Sequence, residues 1–281
     1  MAEQDQHSTA TVDRTPAEAA ESGHATEPAD ARQRWRLFTL LVGACAIGAA
    51  AVLPYSLAFL PDTQRQTAAP LAVLVAAAVV QTCLLAAIAA ACGLWLGARV
   101  GLGAPMVREA DAPLVRQVAP AAMGGICVGA LMLALDALVF GPRMPTDIAA
   151  EAGQRVAPWV GLLASIYGAV DEEVLLRLGV MTFLAWALWR LGGRRSRLAD
   201  SLMWVAIVGA ALLFGLGHLP ATSAMTALTP IVVVRAVLLN GVGGVLYGWL
   251  YWRQGLALAM VAHGATDLVL HVLAPMLVGR A

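Results

Sequence analysis

The chain has 281 residues, of which 60% are hydrophobic and only 13% are charged. Soluble globular domains are about half apolar and a quarter charged, so this composition excludes a soluble globular protein and indicates an integral membrane protein. Basic and acidic residues balance at 18 each. We therefore expect no nucleic-acid partner, because such proteins carry clusters of positive charge.

Residues 1–34 are rich in Ala, Glu, Asp, Thr, Gln and Ser and contain almost no large apolar side chains. A segment of this kind cannot bury enough surface to offset the entropy of ordering it. The sequence therefore predicts a disordered N-terminal tail over 1–34, followed by a transmembrane helical domain over 35–281.

Seven apolar stretches follow, at about 37–60, 70–96, 119–140, 158–191, 202–219, 231–252 and 256–277. A helix of about 20 apolar residues crosses a ~30 Å hydrocarbon core. The predicted fold class is all-α, a polytopic transmembrane helix bundle that lies in the cell membrane with the lipid bilayer as its surroundings.

The fourth stretch poses a counting problem, because a straight helix of its 34 residues would be about 50 Å long. Arginines follow a pattern that favours one crossing: they cluster at 32–36, 99–116 and 194–197, and cytoplasmic loops are enriched in arginine. We therefore predict a cytoplasmic N-terminus and seven spans, with the fourth tilted, bent or running onto the interface. Eight spans are the alternative.

Within this fourth stretch, three acids and one base lie within seven residues: Asp171, Glu172, Glu173 and Arg177. An ionised carboxylate at the bilayer centre costs at least about 2.5–3.5 kcal/mol. Such groups persist only where they face a bundle interior or a wet cavity, pair with each other, or function. The alternatives are a loop between short apolar segments or an ion pair that only fixes helix packing.

Polar residues in two other spans are candidates for the same site. His218 ends the fifth stretch, and His263 and Asp267 are spaced i, i+4, which places them on one helix face. Glu173 and Arg177 have the same spacing, which suits an ion pair. Since Glu172 lies about 100° around the helix from Glu173, we expect one glutamate to face the site while Arg177 holds the other.

These residue types allow water to be activated. A carboxylate can act as a general base, and a histidine opposite it can share the proton, polarise the water or bind a metal. Each histidine alone is as well explained by packing or by a structural hydrogen bond. Glutamates, a histidine and a His-x-x-x-Asp pair on three separate spans together indicate a site.

Two further features concern helix packing. Asp136 is a buried acid near the predicted outer end of the third stretch, where we expect it to snorkel or to hydrogen-bond another helix. Gly244 and Gly248 form a small-xxx-small pair, which favours close approach of two helices.

The polar residues form three ordered motifs that resemble the CAAX prenyl protease and bacteriocin-processing (CPBP, or Abi) family of intramembrane peptidases. The motifs are Glu172-Glu173-x-x-x-Arg177, Phe214-x-x-x-His218 and His263-x-x-x-Asp267. Their order and spacing fit the family, whose core would cover about 158–273. The resemblance implies an endopeptidase, a hydrolase that cuts a membrane-associated or lipid-modified peptide or protein by attack of water.

By this resemblance, Glu172 would be the general base and His218 would help to activate the water. His263 and Asp267 would stabilise the oxyanion. Supporting roles would fall to Glu173 and Arg177, which hold the architecture, and to Phe214 of the second motif.

The last motif departs from the prenyl proteases proper, which carry Asn where this chain has Asp267. A neutral amide donates a hydrogen bond to an oxyanion, whereas an ionised carboxylate cannot. This weakens the oxyanion role and favours metal ligation or orientation of His263. Whether Zn²⁺ is used stays open, with Glu172, His218, His263 and Asp267 as candidate ligands of a metalloprotease; no HExxH motif is present.

Counting along the spans predicts that His263 and His218 lie at different depths, because His263 comes early in its span and His218 comes last.

Two other functions compete with the peptidase. One is a catalytically silent membrane scaffold or bacteriocin-immunity-type protein, for which the glycine pair matters and Glu172 does not. The other is a transporter or proton relay, which internal symmetry would support and which the sequence lacks.

Overall fold

A computed structural model describes residues 27–59, 69–102, 114–144, 156–193 and 198–278. These residues are almost entirely helical, and no strand occurs among them. Seven helical segments are long and apolar enough to span a membrane, and we number them one to seven: Ala31–Ala58, Leu71–Val100, Val115–Arg143, Pro158–Leu191, Asp200–Met225, Pro230–Gln254 and Leu256–Leu277. The all-α fold and the count of seven spans are confirmed for the described residues.

The α-helices within these spans are Glu27–Ala58, Leu71–Leu96, Leu114–Leu135, Pro158–Tyr167, Thr182–Leu191, Asp200–Gly217, Leu219–Met225, Pro230–Gln254, Leu256–Asp267 and Ala274–Val278. Wider π-helical turns interrupt them at Asp136–Phe140, Gly168–Glu172, Val174–Met181 and Leu268–Leu273, and 3₁₀ turns follow at Gly97–Val100 and Gly141–Arg143. The π-helix is rare and is frequent at functional sites. Three of the four π segments contain or adjoin a residue of the predicted motifs.

The first helix begins at Glu27, before the predicted domain boundary at residue 35. Residues 27–34 read EPADARQR; proline is tolerated in a first helical turn, and Ala, Arg and Gln favour helix. These residues therefore extend the first helix, and the domain boundary at residue 35 stays a prediction. Residues 1–26 of the predicted tail lie outside the described residues, and so do the arginines at 194–197. The cytoplasmic N-terminus stays a prediction.

The outer surface of the bundle is apolar. Leucines and isoleucines such as Leu40, Leu84 and Ile88 are more than half exposed. Contiguous exposed apolar surface of this extent is unusual in soluble monomers and is typical of contact with lipid. Inside, the fourth span packs closely on the second, since a Cβ on Gly179 would lie 2.7 Å from the Cβ of Ala89.

The predicted glycine pair lies at the contact between the fifth and sixth spans. A Cβ built on Gly244 would lie 2.9 Å from Cα of Ala211, and one on Gly248 would lie 3.0 Å from Ile207. Both glycines therefore let the two helix backbones approach closely. This confirms the predicted use of the small-xxx-small pair.

Gly244→Ala is expected to destabilise the protein by about 1–3 kcal/mol, because its new methyl group would overlap the backbone of the fifth span. Gly241→Ala on the same span is the matched control: nothing lies within 4 Å of its Cβ, so the change should be neutral or stabilising by up to about 1 kcal/mol. The measurement is the unfolding midpoint in detergent. Equal midpoints for the two variants would contradict the close approach.

Candidate active site

The structure brings together all the residues that the three motifs predict. Glu172 and Glu173 come from the fourth span, His218 ends the helix of the fifth, and His263 and Asp267 lie on the seventh. All of these except the buried Glu173 line a cavity of about 540 Å³. The structure shows that these residues lie close together. The chemical roles assigned to them stay predictions.

Both glutamates contact the same histidine, but only Glu172 lines the cavity, while Arg177 holds Glu173 as predicted. Glu173 Oε1 lies 2.7 Å from Nδ1 of His263, and Glu172 Oε2 lies 3.5 Å from Nε2 of the same ring. The imidazole presents its two nitrogens in different directions, so carboxylates on different sides of one helix can both reach it. Their exposure separates them: the side chain of Glu172 is 19% exposed, whereas Glu173 is fully buried.

Arg177 holds Glu173 as the i, i+4 spacing predicts, with Nη1 3.1 Å from Oε1 and both side chains buried. The guanidinium also lies over two aromatic rings, 4.8 Å from the centroid of Phe214 and 5.1 Å from that of Tyr247. Cation–π contacts of this kind stabilise a desolvated cation. The predicted supporting residues Glu173, Arg177 and Phe214 therefore form one buried cluster.

His218 is fixed by its own helix. Its Nδ1 lies 2.9 Å from the carbonyl oxygen of Phe214; because a carbonyl only accepts, Nδ1 carries the proton and donates. In the neutral ring Nε2 is then the acceptor, and it lies 3.8 Å from Glu172 Oε1. That separation is too long for a direct hydrogen bond and suits a bridging water.

His263 is also held through its Nδ1 atom. Its Nδ1 donates to Glu173, so in the neutral ring Nε2 again bears the free lone pair, 3.5 Å from Glu172 and 3.6 Å from Asp267 Oδ1. Tyr247 stacks on the ring, with centroids 4.4 Å apart and planes inclined by 16°. Tyr247 was not predicted from the sequence, where its only signal is an aromatic residue between Gly244 and Gly248 of the sixth span.

The predicted difference in depth between His218 and His263 is wrong, since both reach Glu172. His218 caps a helix that begins at Asp200, whereas His263 lies in the second turn of one that begins at Leu256. Straight parallel helices with level starts would separate the two residues by roughly 15 Å. The fifth and seventh helices therefore either start at different depths or are tilted relative to each other.

Asp267 lies against the fourth span at Gly168, where a Cβ would overlap its carboxylate. Its Oδ1 is 3.6 Å from His263 Nε2 and 4.0 Å from His271 Nε2. The glycine thus makes room for an acid that faces two histidines. His271 had no role assigned from the sequence, although it comes one helical turn after Asp267 and borders the same cavity.

The same cavity is bordered by an ion pair of which only one partner, Asp136, was singled out from the sequence. Asp136 accepts two hydrogen bonds from Arg235 of the sixth span, each 2.6 Å long. The expected hydrogen bond from Asp136 to another helix is confirmed. Arg235 itself was missed, because nothing in its surrounding sequence distinguishes a paired arginine from one at a membrane interface.

The four predicted zinc ligands all line the cavity: Glu172, His218, His263 and Asp267. His218 and His263 each have Nδ1 held and Nε2 free, as in many histidine metal ligands. Among the described residues, however, no group of three His, Cys, Asp or Glu side chains is arranged to hold a metal ion. No zinc site is therefore identified among the described residues, and zinc ligation stays a prediction.

A comparison with protein families found a match over residues 154–269 to a family described as "Type II CAAX prenyl endopeptidase Rce1-like". Comparison with curated proteins and with solved structures gave no match. The matched region contains all three motifs and most of the polar residues around the cavity. Over residues 154–269 the chain is thus similar to the Rce1-like CAAX prenyl endopeptidases, and the resemblance predicted from the motifs is confirmed.

Proposed function

We propose that the protein is a membrane-embedded endopeptidase that hydrolyses a peptide bond of a membrane-associated protein or peptide, with Glu172 as the general base. One observation carries this proposal. Glu172 is a partly exposed carboxylate in a cavity, and free Nε2 atoms of two held histidines face it at 3.5 and 3.8 Å. A water bound there would have a base beside it and two groups to orient it.

In the first step Glu172 takes a proton from the water as the water oxygen bonds to the carbonyl carbon. The carbonyl π electrons move onto its oxygen, which becomes the oxyanion of a tetrahedral intermediate. As the carbon–oxygen double bond re-forms, the carbon–nitrogen bond breaks and its electron pair goes to nitrogen. Glu172 returns its proton to that nitrogen, which leaves as an amine, and the other product is a carboxylic acid. His218 Nε2 accepts a hydrogen bond from the attacking water.

Glu173 and Arg177 act through His263. Glu173 accepts the Nδ1 proton of His263, and Arg177 balances the charge of Glu173 in a region without solvent. This sets the tautomer and orientation of the ring that faces Glu172. We infer a positioning role for both residues rather than contact with the substrate.

The proposal is tested with purified protein in liposomes and a lipid-anchored peptide. The first probe is a prenylated peptide that ends in Cys-aliphatic-aliphatic-X, the substrate type that the family description names; the same peptide without the prenyl group is the control. Mass spectrometry of the products should show one new C-terminus, formed faster from the anchored peptide. The proposal fails if a folded wild-type protein cleaves neither this peptide nor any other in a panel of membrane-anchored peptides.

The proposed mechanism uses no metal, because Glu172 supplies the base and the Nε2 atoms of two histidines supply groups that orient the water. Elemental analysis of active protein is therefore expected to find far less than one zinc per chain, and cleavage should persist in the presence of a chelator. Glu172→Gln and His263→Ala are analysed beside the wild type. About one zinc per wild-type chain, lost in both variants, would instead establish a metal-dependent hydrolase with these residues as ligands.

A further inference from the structure

His271 and Tyr55 extend the site beyond the matched region 154–269. Nδ1 of His271 lies 2.9 Å from the hydroxyl of Tyr55 on the first span, and the two rings meet edge to face. Both residues border the cavity that contains Glu172. The His271 side chain is 31% exposed and lines this cavity.

The hydrogen-bond partners of His271 determine its tautomer. The Tyr55 hydroxyl has no other hydrogen-bond acceptor among the described residues, so its O–H donates to Nδ1 of His271. The proton of the neutral ring is then on Nε2, which also faces the carboxylate of Asp267 at 4.0 Å. His271 is thus the opposite of His218 and His263, because it presents an N–H to the cavity rather than a lone pair.

We propose that His271 is a further catalytic residue, whose Nε2–H donates a hydrogen bond to the oxyanion, and that Tyr55 positions it. The proposal rests on the endopeptidase function proposed above. This chain needs another hydrogen-bond donor for the oxyanion, because an ionised Asp267 cannot donate a hydrogen bond as an asparagine would. His271, one turn further along the same helix, supplies a donor that keeps its proton as negative charge develops on the carbonyl oxygen.

The test compares the wild type with His271→Ala, His271→Gln and Tyr55→Phe, both in cleavage and in binding of a phosphinate peptide. The phosphinate is a tetrahedral anion that mimics the intermediate. His271→Ala is expected to lower kcat and to weaken phosphinate binding, each by about 100-fold, while KM and binding of the parent peptide stay within about threefold of the wild type. His271→Gln, whose amide can donate, should retain most of both. Tyr55→Phe should lose less than His271→Ala.

A double variant supplies the sharpest result. Asp267→Asn introduces an amide donor, so Asp267→Asn combined with His271→Ala should recover part of the kcat that His271→Ala loses. The inference is overturned if His271→Ala keeps kcat and phosphinate affinity within about twofold, or if His271→Gln falls as far and the double variant recovers nothing. Failure of the proposed function gives a different result. The wild type would then neither cleave the peptide nor bind the phosphinate more tightly than the parent peptide, and both proposals would be wrong.

Discussion

Glu172→Gln is expected to lower kcat by about 10²–10⁴-fold while leaving the protein folded in the membrane. The loss is that of a general base, since glutamine has nearly the same shape but cannot accept the proton of the attacking water. Folding should survive because Glu172 is partly exposed to the cavity and lies outside the ion pair between Glu173 and Arg177. The measurement is the rate of cleavage of the anchored peptide together with the unfolding midpoint of each variant.

Glu173→Gln is the matched control, because it makes the same substitution at the neighbouring residue. It removes the partner of a buried arginine and the acceptor of the His263 Nδ1 proton, so it should lower the unfolding midpoint as well as activity. A loss of activity in both variants, with a loss of stability only in Glu173→Gln, separates a catalytic from a supporting glutamate. If Glu172→Gln instead cleaves as fast as the wild type, the base is another residue.

The same pair of variants addresses the alternative of a silent scaffold. A scaffold would have no cleavage to lose, and its cellular phenotype would follow Gly244 and Gly248 rather than Glu172. In the structure those glycines hold the fifth span against the sixth, so changing them perturbs the architecture that the catalytic residues also need. Only the isosteric change at Glu172 distinguishes the two functions cleanly.

The spans were predictable because a length of apolar sequence is a sufficient physical signal for a membrane helix. The pairing of Glu173 with Arg177 was predictable for a similar reason, since an i, i+4 spacing fixes neighbours on one helix. Convergence of the three motifs was expected because polar residues in membrane spans need partners, and the family resemblance supported it. Spacing within one span says nothing about which other span it meets.

What the sequence could not show depends on contacts between spans. The common depth of His218 and His263 results from the relative arrangement of two helices, which no local pattern encodes. The contact of Tyr55 with His271 joins residues 216 positions apart, and the π-helical turn that begins after Asp267 alters the direction of His271. Tyr247 was missed because a buried aromatic residue in an apolar span has packing as its ordinary explanation.

Arg177→Met is expected to destabilise the protein by about 3–5 kcal/mol, because it leaves the Glu173 carboxylate buried without its cation. The side chains of both partners are almost fully buried, so water cannot replace the guanidinium. The double variant Glu173→Gln with Arg177→Met should be more stable than Arg177→Met alone, since it removes the uncompensated charge together with its partner. The measurement is equilibrium unfolding in mixed detergent micelles.

Arg253→Met is the matched control for this loss of a cation. Arg253 lies 3.9 Å from Asp200, and both side chains are about half exposed, so its removal should cost less than about 1 kcal/mol. If Arg177→Met is as stable as Arg253→Met yet inactive, Arg177 acts on the reaction rather than on the architecture. Its guanidinium would then have to influence the charge on His263 through Glu173, and the double variant would remain inactive despite its stability.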